Sequence, residues 1–278
     1  LGENRALVRR GLRVLNETDR PGLQEMALRA GLRLGAITPT TVSYVLAPRL
    51  NSAGRLSNAW DSYELLATTS RETARQLAER LEATNAERQR RTSEALAKAR
   101  EEIALLGEEA NLFLIAGSEY PAGVVGLVAG KLAEEFYRPV LVVELGEEES
   151  RGSARSIAEF DVTQALKSCG HLLRRFGGHA QAAGFTIPNA NLEEFRQSLL
   201  AFAASKLGEL KDKLQPRLVI DYELPLQDLN WNLYRQVSRL APFGFGNPTP
   251  TFISRRVKVV ESRPVGRELP KHLRLRIF

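Results

Sequence analysis

The residues best suited to chemistry lie in Phe176–Phe185, which reads FGGHAQAAGF. Gly177 and Gly178 remove the Cβ atoms from two successive residues. Backbone amides there can approach a bulky anion and take angles closed to other residues. His179 follows at once and can donate a hydrogen bond or carry a proton. Ala180, Ala182, Ala183 and Gly184 keep the next stretch slim. One reading is a phosphate or nucleotide cradle. The other is a tight turn into a strand, with His179 a hydrogen-bonded surface or core residue.

Two more segments carry cations in a suggestive setting. In APRLNSAGRL, residues 47–56, Arg49 and Arg55 flank a small polar turn that begins at Asn51. Two guanidinium groups so close repel unless water or an anion separates them, and arginine's planar fork suits phosphate. The plainer reading is a solvated loop with an Asx turn at Asn51. In RGSARSI, residues 151–157, small and polar residues alternate, and Arg155 and Ser156 are suited to hold a phosphate. There the alternative is an edge strand with an exposed arginine.

These segments need elements to position them. Residues 1–68 read as short helices: Leu7, Leu12 and Leu15 form one stripe, and Pro21 opens a helix that Gly31 stops. Thr38-Pro39 opens another, which Pro48 is expected to end, and Asn58 caps the next. Residues 70–106 read as one long helix, boxed by Thr69 and Glu72 and stopped by Gly107. Its apolar stripe is thin, so it reads as a bridge between domains. Arg88, Arg90 and Arg91 upon it read as a solvated face, with nucleic acid as the alternative. From residue 110 the pattern becomes strand, helix, strand: Leu112–Ala116, then Gly123–Phe136 with Gly126 and Gly130 for close packing, then Val140–Leu145. Asp161 caps a helix over 162–173, and Asn191 with Glu194 boxes the last helix of this region. After a polar linker at 208–216, short alternating runs around the turn APFGFGNPTP suggest a small β-barrel. Phe243, Phe245 and Phe252 read as core, with base stacking as the alternative. Arg255, Arg256, Lys258, Lys271 and Arg274 supply charge.

Composition narrows the classes. The chain has 278 residues, enough for two domains, and a net charge of +6 that favours a polyanionic partner. No run of about 18 apolar residues is present, so no membrane span is expected. The single cysteine, Cys169, excludes an internal disulfide framework and fits a reducing cytoplasm. One cysteine and three histidines match none of the common structural zinc sets, so such a site is not expected of this chain alone, while a carboxylate-based metal site is not excluded by counting. The chain opens on Leu1 rather than Met and ends inside the alternating run LRLRIF, so both ends read as cut.

Taken in order, APRLNSAGRL, SARS, FGGHAQAAGF and APFGFGNPTP resemble the later part of the RecJ family, single-strand-specific 5′-to-3′ DNA exonucleases of the DHH phosphoesterase superfamily. GGH followed by AAG is shared with other DHH-associated domains, whereas PRLNSAGR and PFGFGNP point to RecJ. The resemblance implies an α/β (α+β) fold in four parts. They are the helical end of a DHH domain (1–68), a linking helix (69–108), a mixed-sheet DHH-associated domain (109–206) and a truncated oligonucleotide-binding (OB) barrel (214–278). It implies Mn²⁺ or Mg²⁺ in the complete protein, held by ligands upstream of Leu1, since no Asp-His-His triplet occurs here. It assigns phosphate contacts to Arg49, Asn51, Arg55, Arg155, Ser156, Gly177, Gly178 and His179, with His179 and Arg155 supporting the transition state. Arg49, Arg155 and His179 are expected to meet in one cleft. Single-stranded DNA is the implied partner, with a single-strand-binding protein and a helicase beside it, in repair and recombination. The alternatives are a phosphodiesterase for short oligonucleotides or cyclic dinucleotides, and a non-catalytic replication scaffold. The chain alone is expected to bind DNA without cutting it.

Overall fold

Residues 2–107, 110–209, 214–266 and 272–278 are described by the structure, a computed structural model. The first helices are α1 (Gly2–Asn16), α2 (Pro21–Arg29) and α3 (Pro39–Thr41), the last capped by the Thr38 side chain. Val42–Leu46 then forms one π-helical turn that runs into α4 (Ala47–Leu56). Pro48 therefore lies inside a helix it was expected to end, and APRLNSAGRL is helical rather than a polar turn. The widened turn just before Pro48 accommodates its missing donor and its ring. Burial of Ser52 and Ala53 outweighs the weak helix propensity of Asn, Ser and Gly.

After α5 (Trp60–Ala67) comes α6 (Arg71–Leu106), a helix of 36 residues. Ser70, not Thr69, caps it, accepting from the Thr73 amide at 3.2 Å. The expected stripe of Leu77, Leu81, Thr92, Ala95, Ala99 and Ile103 is buried. Its first part packs on α2, α4 and α5. The remaining elements of this region are β1 (Phe113–Gly117), α7 (Ala122–Phe136), β2 (Val140–Glu144), β3 (Glu149–Arg155), α8 (Val162–Ser168), β4 (Arg175–His179), β5 (Ala182–Pro188) and α9 (Leu192–Leu207). Asp161 caps α8 through the Thr163 and Gln164 amides. Asn191 does not box α9; its side-chain amide donates to the Leu172 carbonyl instead.

The five strands form one mixed sheet in the order β1-β2-β3-β5-β4. β1 and β2 are parallel and the other pairs antiparallel. Apolar runs explain the middle: β1 and β2 are buried on both faces, so they read as unbroken hydrophobic stretches. One face carries Phe113, Ile115, Val140 and Val142 against α6 and α7. The other carries Leu114, Leu141, Phe185 and Ile187 against α8 and α9. The elements from α2 to α9 lie in one compact unit, Glu17–Pro216.

The second unit combines Leu1–Asn16 with Arg217–Phe278. It contains β6 (Tyr222–Glu223), α10 (Trp231–Ser238), β7 (Phe252–Ile253), β8 (Val259–Val265) and β9 (His272–Ile277). β6 pairs with β7 and β8 with β9; among the described residues there is no closed barrel. The APFGFGNPTP turn is tied down by Asn247, which donates to the Leu240 and Pro242 carbonyls at 3.1 and 2.9 Å. Arg5 donates to the Leu240 carbonyl at 2.6 Å. Phe245, expected in a core, stands fully in solvent, because it lies on the turn itself and no described strand or helix covers it. Lys271 lies outside the described residues.

Candidate functional site

Sheet register decides which side chains meet. On one face the rungs run Arg155–Ala182–His179, Ser153–Gly184–Gly177 and Arg151–Thr186–Arg175 across β3, β5 and β4. Residues directly opposite share a face. Arg155 and His179 are thus on the same side, two strand spacings or about 10 Å apart. α7 covers the β2 side of this face and leaves the β5–β4 side open.

The result is a hollow of about 480 Å³, within the range of small-ligand sites. Four arginines line it: Arg55 from α4, Arg151 and Arg155 from β3, and Arg175 from β4. Among the described residues none of the four forms a salt bridge. Arg155 is held in place by donating from Nη1 to Ser153 Oγ at 2.9 Å and to the Ala154 carbonyl at 2.8 Å. Its Nη2 lies where Gly126 of α7 lacks a side chain. Burial, and after it the Arg55 charge, push the Arg155 guanidinium below its ordinary range. Arg55 is fixed by donating to the Gly123 carbonyl at 3.1 Å, so α7 positions both. Arg175 donates from Nε to Thr186 Oγ1 at 3.2 Å. Unneutralised guanidinium groups facing one hollow make a site for an anion with several oxygens, which phosphate satisfies bidentately.

The two adjacent glycines do different things. They lie in a strand, not in a loop cradle. A Cβ at Gly177 would meet nothing within 4 Å, so it leaves the hollow floor bare. A Cβ on Gly178 would sit 2.4 Å from the Ala182 carbonyl oxygen, and its φ of 152° suits only glycine, so it serves the hairpin.

Of the expected residues, Arg55, Arg155 and Gly177 line the hollow. His179 is exposed at the end of β4 on the same face, outside the lining. Arg49 is turned away: Nε and Nη2 bind Glu82 of α6 at 2.6 and 3.1 Å. On a helix Arg49 and Arg55 are six residues apart and cannot share a face, so the expected meeting of Arg49 with Arg155 is replaced by that of Arg55 with Arg155. Asn51 is exposed on α4, outside the hollow. Ser156 donates to the Phe160 carbonyl at 2.7 Å and serves the turn before α8. Sequence reasoning missed Arg151, Ser153 and Arg175. The two-residue period back from Arg155 would have found the first two.

Among the described residues no group of three or more His, Cys, Asp and Glu is placed to hold a metal ion. No described helix is long and apolar enough to cross a membrane.

Comparison with known proteins bears on these features. Residues 109–206 match the DHHA1 domain, and residues 220–277 match the RecJ OB domain. The single-stranded-DNA-specific exonuclease RecJ of Bacillus subtilis is 33% identical over 266 residues, 95% of this chain and 34% of that protein. Its counterpart in Thermus thermophilus is 33% identical over 252 residues, 91% of this chain and 36% of that protein. The chain thus spans about a third of the length of these relatives. The crystal structure of RecJ in complex with Mg²⁺ from Thermus thermophilus matches with a TM-score of 0.84 at 31% identity, over 99% of this chain and 42% of that one. The crystal structure of exonuclease RecJ bound to manganese matches with a TM-score of 0.61 at 33% identity, over 72% of this chain and 50% of that one.

Proposed function

The chain belongs to the RecJ family, and from that premise we propose that it supplies the strand-holding part of a metal-dependent single-stranded-DNA exonuclease. The whole protein would digest from the 5′ end, in DNA repair and recombination. The helices before α6 belong to the end of a DHH domain, α6 links it to the DHH-associated sheet, and the Arg217–Phe278 region is part of an OB fold. One observation carries the reading: four arginines with no carboxylate partner among the described residues line one hollow.

Their roles follow from geometry. Arg155, braced by Ser153, presents Nη2 to a phosphate oxygen. Arg151 and Arg175 stand on one rung of the same face, two rungs along the sheet from Arg155. Bare Gly177 lets the sugar-phosphate chain lie close to the sheet. Fixed cations of this kind orient a phosphate and offset the negative charge that grows on it during displacement. His179, at the rim, can donate to an oxygen further along the chain. Mn²⁺ or Mg²⁺, with which the solved RecJ structures are in complex, would serve the whole protein as its metal. The match of residues 220–277 to the RecJ OB domain favours long strands over dinucleotides as substrate.

Titration of the 278-residue chain with a labelled single strand, read by fluorescence anisotropy, tests this. A charge-assisted hydrogen bond contributes about 1.5–3 kcal/mol. Arg155→Gln should therefore weaken binding about 10- to 100-fold. Arg175→Gln should lower the slope of log K against log salt by about 0.7. Parent-like binding by both variants would refute the assignment.

A further inference from the structure

We propose that the groove between α6 and α7 is a second phosphate site, which takes the strand after it leaves the arginine hollow. This rests on the reading of that hollow as a strand site. The groove encloses about 420 Å³ and is lined on α6 by Arg88, Thr92 and Leu96, and on α7 by Leu127 and Lys131. The residues follow i, i+4 spacing on each helix, so they form two facing rows. Arg100 also lines the groove but is neutralised by a bidentate ion pair with Glu135. Arg88 and Lys131 have no carboxylate partner among the described residues.

Arg88 is the informative residue. Its neighbours Arg90 and Arg91 are both paired to Glu87, so the cationic run on this helix is mostly self-satisfied. Arg88 instead donates from Nη2 to Asn85 Oδ1 at 2.8 Å, and Asn85 is buried. Its Nε is shut off from solvent and has no acceptor among the described residues. No carboxylate offsets the Arg88 charge among the described residues, and an anion in the groove would. Burial, then the charges of Arg55 and Arg49, hold Arg88 below the ordinary arginine range. Arg55 acts on Arg155 in the same way. α4, which carries Arg55, packs against both α6 and α7.

α7 makes the track continuous. Gly126 faces Arg155, while Leu127 and Lys131 turn to the groove. A strand held at Arg155 would pass Arg55 and reach Arg88 and Lys131 within a few phosphates. The ligand is thus a further phosphodiester of the same single strand, recognised by charge and not by base.

Strand length separates the two sites. The 278-residue chain is titrated with a 5′-phosphorylated dinucleotide and with a single strand of about 12 nucleotides. Lys131→Gln is the main variant, since Lys131 is exposed and has no bond to lose in folding. Arg88→Gln is the second, with thermal melting to check its fold. Each should weaken the longer strand about fivefold and leave the dinucleotide unchanged. Lys167→Gln, an exposed charge on α8, should leave both unchanged. If Arg155→Gln weakens both ligands but Lys131→Gln and Arg88→Gln weaken neither, the second site is wrong and the first stands. If Lys167→Gln costs as much as Lys131→Gln, the effect is net charge, and the second site is again wrong. Parent-like binding by Arg155→Gln would overturn both.

Discussion

Gly126→Ala separates the site from the fold. A Cβ at Gly126 would lie 3.0 Å from Arg155 Nη2, 3.1 Å from Ser153 Oγ and 3.7 Å from Arg155 Cζ. These contacts are tight by a few tenths of an ångström. The closest atom is the far end of a flexible side chain, so Arg155 yields and the backbone does not. Glycine within a helix is less stable than alanine by about 0.5–1 kcal/mol. The fold therefore gains about what the contact costs, and melting should stay level or rise by about 1–4 °C. Binding should move the other way. Arg155 must turn from Ser153, to which Nη1 now donates at 2.9 Å, and so leave the position that faces the hollow. Losing about half of one charge-assisted bond, about 1 kcal/mol, weakens single-strand binding about fivefold. Differential scanning fluorimetry and anisotropy on the same preparation give both readings. A fall of several degrees with parent-like affinity would refute the reasoning, because it would mean that α7 meets β3 backbone at Gly126 rather than the Arg155 side chain.

Two further outcomes are open to direct measurement. Cys169 is 1% exposed and burial pushes its thiol up, so iodoacetamide should label it only on unfolding; labelling of the native chain at the rate of a free thiol would show the α8 region to be open. Hydrogen bonds from Arg90, then Arg91, hold the Glu87 carboxyl at about 2 against an ordinary 4.5. That support for α6 is complete above pH 4.5 and is lost as pH falls through about 2. Glu87→Gln should flatten this part of the acid dependence of helicity by circular dichroism, and an unchanged acid limb would dismiss the pair as a contributor.

Much of the scaffold was legible because it is written in short-range chemistry. Unbroken apolar runs marked β1 and β2, since a strand buried on both faces has no polar alternation to show. Asp161 and Gly107 marked helix ends through capping, which involves only near neighbours. The errors came where long-range packing outweighs local preference. APRLNSAGRL holds a proline, a glycine and two small polar residues, yet burial of Ser52 and Ala53 makes it a helix. That turns Arg49 toward Glu82 and leaves Arg55 for the hollow. Phe245 failed in the other direction: an aromatic in an apolar segment reads as core until the turn that leaves it uncovered is seen.

By itself the sequence determined the raw materials of this protein: an excess of cations, a bare glycine pair, and arginines beside small residues in three separate segments. It also determined the family those segments resemble, because that pattern lies within contiguous stretches. Only the tertiary structure decided which arginines share a hollow. Arg151, Arg155 and Arg175 lie on one face because of strand register, and a slip of one residue would send any of them to the other side. Arg55 joins them because α7 approaches α4 closely enough to accept its hydrogen bond. Register and helix approach are set by how whole layers pack, and no local run of residues encodes them.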